Sequence, residues 1–222
     1  GGVALAFAFI FFIFGMTYTS AATTLFMIGT QPLFAGLFAY IFLREYVRAA
    51  TLIACLISLG GMFIMAYSDW QSGTFLGWAF GLFCSISFAT FAVTLRWQPD
   101  TPKFTTIMIS GVTCALFSII MILIFSENLT MPTRNILLSI LHGSFVASGL
   151  ILLSIGSKYL PAAEFMLLSL TEVVGGVIWC WIPLFGVNEV PATYTLIGGL
   201  IIVFSIAFHA IGTRQRPVPP TL

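Results

Sequence analysis

The run TTIMISGVTCALFSIIMILIF, from Thr105 to Phe125, decides the fold. It holds no charged side chain, and at a helical rise of about 1.5 Å per residue it is long enough to cross a hydrocarbon layer roughly 30 Å thick. Working outward, similar runs between polar breaks predict eight spans. They lie at Gly1–Tyr18, Ala21–Phe42, Ala49–Tyr67, Phe75–Thr94, Thr105–Phe125, Ile136–Gly156, Pro161–Trp181 and Tyr194–Ile211. The breaks carry turn chemistry, as in Arg44-Glu45, Gln98-Pro99-Asp100 and Val187-Asn188-Glu189. The expected fold is all-α, a polytopic bundle of transmembrane helices with the lipid bilayer as its solvent.

Composition agrees with that reading and excludes others. The 222 residues are 59% hydrophobic and 7% charged, with a mean hydropathy of +1.10, whereas soluble domains carry about 25% charged residues. A net charge of +1 without a polybasic run points to no nucleic-acid partner. Cys55, Cys84, Cys114 and Cys180 all fall in apolar runs without CxxC spacing, so they read as small core residues; no metal set and no cofactor is expected. Gly1–Phe14 lacks the charged start of a signal peptide and reads as a cut inside a longer chain.

Lysines and arginines sort cleanly by alternate connections. Arg44, Arg48, Arg96, Lys103, Lys158, Arg214 and Arg216 fall on one side, and Arg134 falls on the other. Cytoplasmic loops hold the basic excess, so the first side is expected to be cytoplasmic in a cell membrane. Residues 212–222 then form a disordered cytoplasmic tail.

Shifting the chain on itself by about 141 to 144 residues pairs Ser20-Ala21-Ala22 with Pro161-Ala162-Ala163 and Thr30-Gln31 with Thr171-Glu172. It also pairs Glu45 with Glu189 and Thr51-Leu52-Ile53 with Thr195-Leu196-Ile197. Five spans separate the paired segments, so the mates cross the membrane in opposite directions. Inverted repeats are a common build of secondary transporters, with the substrate near the midplane at the repeat interface.

Two stretches carry a family likeness. One runs from Tyr18-Thr19-Ser20-Ala21-Ala22 through Gln31-Pro32-Leu33-Phe34 to Leu43-Arg44-Glu45. The other runs from Leu160-Pro161-Ala162-Ala163-Glu164 through Leu170-Thr171-Glu172-Val173-Val174 to Gly186-Val187-Asn188-Glu189. Each precedes a glycine-bearing span, with Ser58-Leu59-Gly60-Gly61 in one and Ile197-Gly198-Gly199 in the other. The chain resembles EamA-type carriers of the drug/metabolite transporter superfamily. The resemblance implies a ten-helix carrier of two inverted five-helix repeats, of which the first two helices are absent here. Residues 1–67 would be the remainder of the first repeat, with three spans, and residues 75–211 the second, with five.

An ionisable group inside the bilayer costs about 2.5–3.5 kcal/mol on insertion scales, so each asks for a reason. Glu172 lies about 11 residues, roughly 17 Å, beyond Pro161, near the midplane, and its repeat mate is Gln31. A carboxyl in low dielectric favours its protonated form, which would let Glu172 exchange a proton; interhelical hydrogen bonding is the alternative. One helical stripe joins Glu164, Leu168, Thr171, Glu172, Gly175 and Trp179, and the first-repeat stripe reads Thr23, Met27, Thr30, Gln31, Phe34. The opposite face, Met166, Leu170, Val173 and Val177, is apolar and should meet lipid or packed neighbours. Glu164 also suits a helix-start carboxylate near the inner surface. Trp179 fits either an interfacial belt or stacking on a solute. His142 either lines a cavity or bonds a backbone carbonyl. His209 and Lys158 sit near inner helix ends, where snorkelling accounts for them.

The mid-span charge is acidic throughout, which disfavours phosphate-bearing solutes and suits neutral, zwitterionic or cationic ones such as amino acids and amines. The expected activity is secondary transport of a small organic solute by alternating access, with proton coupling through Glu172 as an open branch and a homodimer as a candidate assembly. A structural or receptor-like bundle is the alternative. An intramembrane enzyme has less in its favour, since GxSxG, HExxH and paired His/Asp arrangements are all missing, and no catalytic residue is assigned.

Overall fold

The computed structural model describes residues 1–19, 21–67, 75–97, 102–125, 132–175 and 193–213, and the regular elements among them are all helical. In chain order they are α1 (Gly2–Tyr18), α2 (Ala21–Ile28), α3 (Gln31–Phe38) with a π-helical turn at Ala39–Leu43, α4 (Ala49–Ala66) and α5 (Phe75–Trp97). There follow α6 (Lys103–Phe125), α7 (Thr133–Gly156), α8 (Ala162–Ser169), α9 (residues 171–175) and α10 (Thr193–Thr213). Six stretches are long and apolar enough to cross a membrane: Thr24–Leu43, Ala49–Ala66, Phe75–Trp97, Phe104–Ile124, Thr133–Gly156 and Thr193–Ile211. The shorter α1, of 17 residues, is equally apolar. This is the all-α polytopic membrane bundle expected from the sequence. Of the Pro161–Trp181 span, only the part up to Gly175 is among the described residues.

The tightest seam joins α4 to α10. A Cβ on Gly61 would stand 2.8 Å from the carbonyl oxygen of Gly198, so the two backbones meet with no room for a side chain. Ser58 Oγ donates to Ser205 Oγ at 3.0 Å, and Ser205 Oγ donates to the Ala54 carbonyl at 2.6 Å. Lipid offers these helices no hydrophobic incentive to associate, so small residues and interhelical hydrogen bonds hold them. The offset of 144 that pairs Thr51 with Thr195 carries the Gly61–Gly198 contact onto Ser205–Ala54, so the seam repeats its own small-residue pattern. On the periphery, α6 and α7 leave Leu116, Ile120, Leu123, Leu137 and Leu141 exposed, as lipid-facing helices do.

Two expected spans carry a break of one or two residues, although Thr30 and Leu170 keep helical φ/ψ and the chain holds its course. The second breaks at Gly29-Thr30 between α2 and α3, and the seventh breaks at Leu170 between α8 and α9. Pro32 contributes to the first break, because it lacks an N–H and its ring crowds the preceding turn. The second has no proline within the described residues around it, yet it breaks at the matched place. Both breaks carry a threonine hydroxyl turned back on the preceding turn, a bond that Thr94 and Ser110 also make within unbroken helices. Thr30 Oγ1 donates to the Met27 carbonyl at 2.6 Å, and Thr171 Oγ1 donates to the Leu168 carbonyl at 2.9 Å. Such back-bonding competes with the backbone ladder and bends helices. Both pairs are related by the same offset of 141.

Candidate functional site at the two helix breaks

The breaks place Gln31 and Glu172 immediately after the turned threonines, at the first turns of α3 and α9. Gln31 is 1% exposed, and its Oε1 has no hydrogen-bond partner among the described residues. An unpaired buried acceptor costs about 1–3 kcal/mol, so this atom is an expense the fold carries at its centre. Glu172 differs. It is exposed, in contrast to buried Gln31. Cys84 and Ser85 are buried on α5, and Ser85 Oγ is 2.7 Å from Thr30 Oγ1. The α5 pair Cys84-Ser85 therefore meets the first break through Thr30.

The breaks also change how the polar stripe of the seventh span is presented. A continuous helix would align Glu164 with Thr171 and Glu172. With the turn at Leu170, Thr171 and Glu172 are accessible, whereas Glu164 is 5% exposed and belongs to a different cluster. Of the apolar face, Met166, Leu170 and Val173 are buried against protein rather than lipid. His142 is exposed on α7 and is not brought to the breaks. Trp179 and Val177 lie outside the described residues.

The second cluster lies at the end of the bundle that carries Arg44, Arg48, Arg96 and Lys158. There Thr51 Oγ1 is 3.1 Å from His209 Nε2 and donates to Glu164 Oε1 at 3.4 Å. Glu164 Oε1 is also 3.9 Å from His209 Nε2 and 3.9 Å from Arg48 Nη1. His209 is 4% exposed, so snorkelling does not describe it; its ring is committed to the α4–α8–α10 junction. Lys158 is exposed as expected, and its carbonyl accepts from Arg96 Nη1 at 3.4 Å. Arg96 Nε also donates to Glu45 Oε1 at 3.1 Å, and Glu45 Oε2 accepts from the backbone N–H of Ala162 at 3.5 Å, the first residue of α8. Sequence reasoning missed this cluster because Thr51 is 113 residues from Glu164 and 158 from His209. The one available signal was that a His and a Glu both fell within apolar spans.

At this same end, α3 and α8 are pressed together. Ala35, Ala39, Ala162, Phe165 and Met166 form one buried cluster, and a Cβ on Gly36 would lie 3.4 Å from that of Ala163. Small side chains allow this approach of α3 to α8. The exposed pair Thr171 and Glu172 follows α8 beyond the turn at Leu170.

Among the described residues, no group of His, Cys, Asp and Glu has the arrangement of a metal site. No curated protein matches the chain. A protein of known crystal structure superposes with a TM-score of 0.74 at 18% identity, over 97% of this chain and 76% of its own, a likeness of fold. Residues 1–67 match the EamA-like transporter family. The chain is thus a multi-pass membrane protein by its long apolar helices, and over residues 1–67 it is similar to the EamA-like transporter family, in line with the resemblance of its motifs.

Proposed function

We propose that the chain is a secondary transporter that moves a small organic solute by alternating access, with the solute held between the breaks at Gln31 and Glu172. The observation that carries this reading is the matched pair of broken helices. In transporters, interrupted helices expose polar backbone and side-chain groups at mid-membrane depth where a solute can use them. The groups offered here are acceptors and hydroxyls: Gln31 Oε1, the Glu172 carboxylate, Thr30 and Ser85. A solute with N–H donors, such as an amine or an amino acid, complements them. Anionic phosphates would find no arginine or lysine at this depth among the described residues.

In this reading residues 1–67 and 75–211 are the two repeats, the basic end faces the cytoplasm, and the state described is closed on that side. Glu172 is the group through which a proton gradient would act. The reading is tested by uptake into proteoliposomes from a panel of amines, neutral amino acids and organic phosphates. Uptake confined to the amine-bearing solutes, and lost in Gln31→Leu, is the expected outcome. Uptake of the phosphates alone would contradict the substrate class, and solute-independent leakage would contradict carrier action.

A further inference from the structure

We infer that Glu164 is a conformational latch, fastening the start of α8 to the α4–α10 seam, and that its release opens the path from the basic end to the breaks. The inference rests on the alternating-access reading.

The geometry at the α8 start is that of a docking point. The α4–α10 seam is fixed along its length by glycine backbones and serine hydroxyls, and Thr51 and His209 continue it to the basic end. Glu164 belongs to neither helix. It reaches across from α8 into this seam and meets Thr51, His209 and Arg48 within 3.9 Å. Glu45, on the segment before α4, takes the Ala162 N–H at the same helix start and is itself held by Arg96. A carboxylate is stabilised at a helix N-terminus by the unpaired backbone donors there. Two carboxylates thus hold one short helix, and that helix is the half of the seventh span that closes on α3.

The repeat does not copy the Glu164–His209 pair, although it does pair Glu45 with Glu189. Applying the repeat offsets, His209 corresponds to Met65 and Glu164 to Thr23, and neither mate is ionisable. The Glu164–His209 contact is therefore particular to the basic end, where the α8 start meets the α4–α10 seam. An attachment through hydrogen bonds to charged groups can be strong while made and still be released as a unit. Interdigitated apolar packing has no such discrete contact to release.

A native reporter sits just above the latch. Cys55 is one turn beyond Thr51 on α4, 2% exposed, in a cluster with Leu167 of α8 and Leu170 of the turn after it. If α8 swings away from the seam, Cys55 meets water. Cys114, on α6, is half-buried far from α8, with its thiol 3.6 Å from the Ala6 carbonyl, and serves as an internal reference.

The test is alkylation of the full chain in lipid nanodiscs with a small charged methanethiosulfonate, read by peptide mass spectrometry at both cysteines. Glu164→Gln and Thr51→Val should each raise the Cys55 rate relative to Cys114 by about tenfold, the shift expected from losing one hydrogen bond to a charged group. Thr51→Ser, which keeps the hydroxyl, should stay at the wild-type ratio. An unchanged ratio in both variants would overturn the latch. So would equal acceleration at both cysteines, because that is the mark of general loosening. The readout needs no solute, so it stands or falls separately from the assignment of the transported compound.

Discussion

The broken helices α2–α3 and α8–α9 share one local arrangement and present different side chains. Each turns a threonine hydroxyl back onto the carbonyl three residues earlier, and each places a polar side chain directly after the break. In the first, the side chain is a buried, neutral glutamine with an unspent acceptor; in the second, it is an accessible glutamate. The difference teaches that the repeat conserves a backbone geometry while the chemistry presented by it diverges. Gln31 is fixed and can only accept or donate hydrogen bonds, whereas Glu172 can also change charge.

Four substitutions break or sharpen this comparison. The largest effect should come from the seam that supports both helices. Gly198→Ala places a methyl group on the Gly61 carbonyl oxygen, and neither backbone can yield without parting α4 from α10. Thermal unfolding in detergent should show a loss of about 3 kcal/mol, at the upper end of overpacking costs. Gln31→Leu acts in the reverse direction. Removing the unpartnered Oε1 should raise stability by about 1 kcal/mol while solute uptake falls. A drop in both would mean that Gln31 is a structural residue and would remove it from the site.

The smaller pair contrasts the breaks themselves. Thr30 bonds both the Met27 carbonyl and Ser85, so Thr30→Val should cost about 1–2 kcal/mol. Thr171 is exposed and bonds only the Leu168 carbonyl among the contacts described, so Thr171→Val should cost about 0.5 kcal/mol. Equal losses in the two variants would show that the breaks are energetically alike and that the Ser85 contact adds nothing.

The transmembrane class was legible in runs such as Thr105–Phe125, because the length needed to cross hydrocarbon leaves little freedom. The pairing of Thr30-Gln31 with Thr171-Glu172 was legible as well, since it is a matter of offset. The breaks were not. Pro32 hints at one, but a threonine that bonds its own helix looks in sequence like a threonine that faces a cavity. The separation of Glu164 from Glu172 was not legible for a related reason: the helical stripe assumed an unbroken phase from Glu164 to Glu172, and the turn at Leu170 ends that phase, leaving Glu164 as the helix-start carboxylate that was its other reading. The Thr51–Glu164–His209 cluster needs α4, α8 and α10 to converge, and no local pattern reports such a convergence.

The central claim is that Glu172 is the chargeable member of a midplane pair and couples solute movement to protons. Its most direct test is uptake of an amine or amino acid by proteoliposomes carrying the full chain, with and without an imposed pH gradient, for the wild type and Glu172→Gln. The account predicts that the gradient drives accumulation in the wild type, and that the variant equilibrates the solute without responding to the gradient. A Glu172→Gln protein that accumulates solute under the gradient as the wild type does would contradict it.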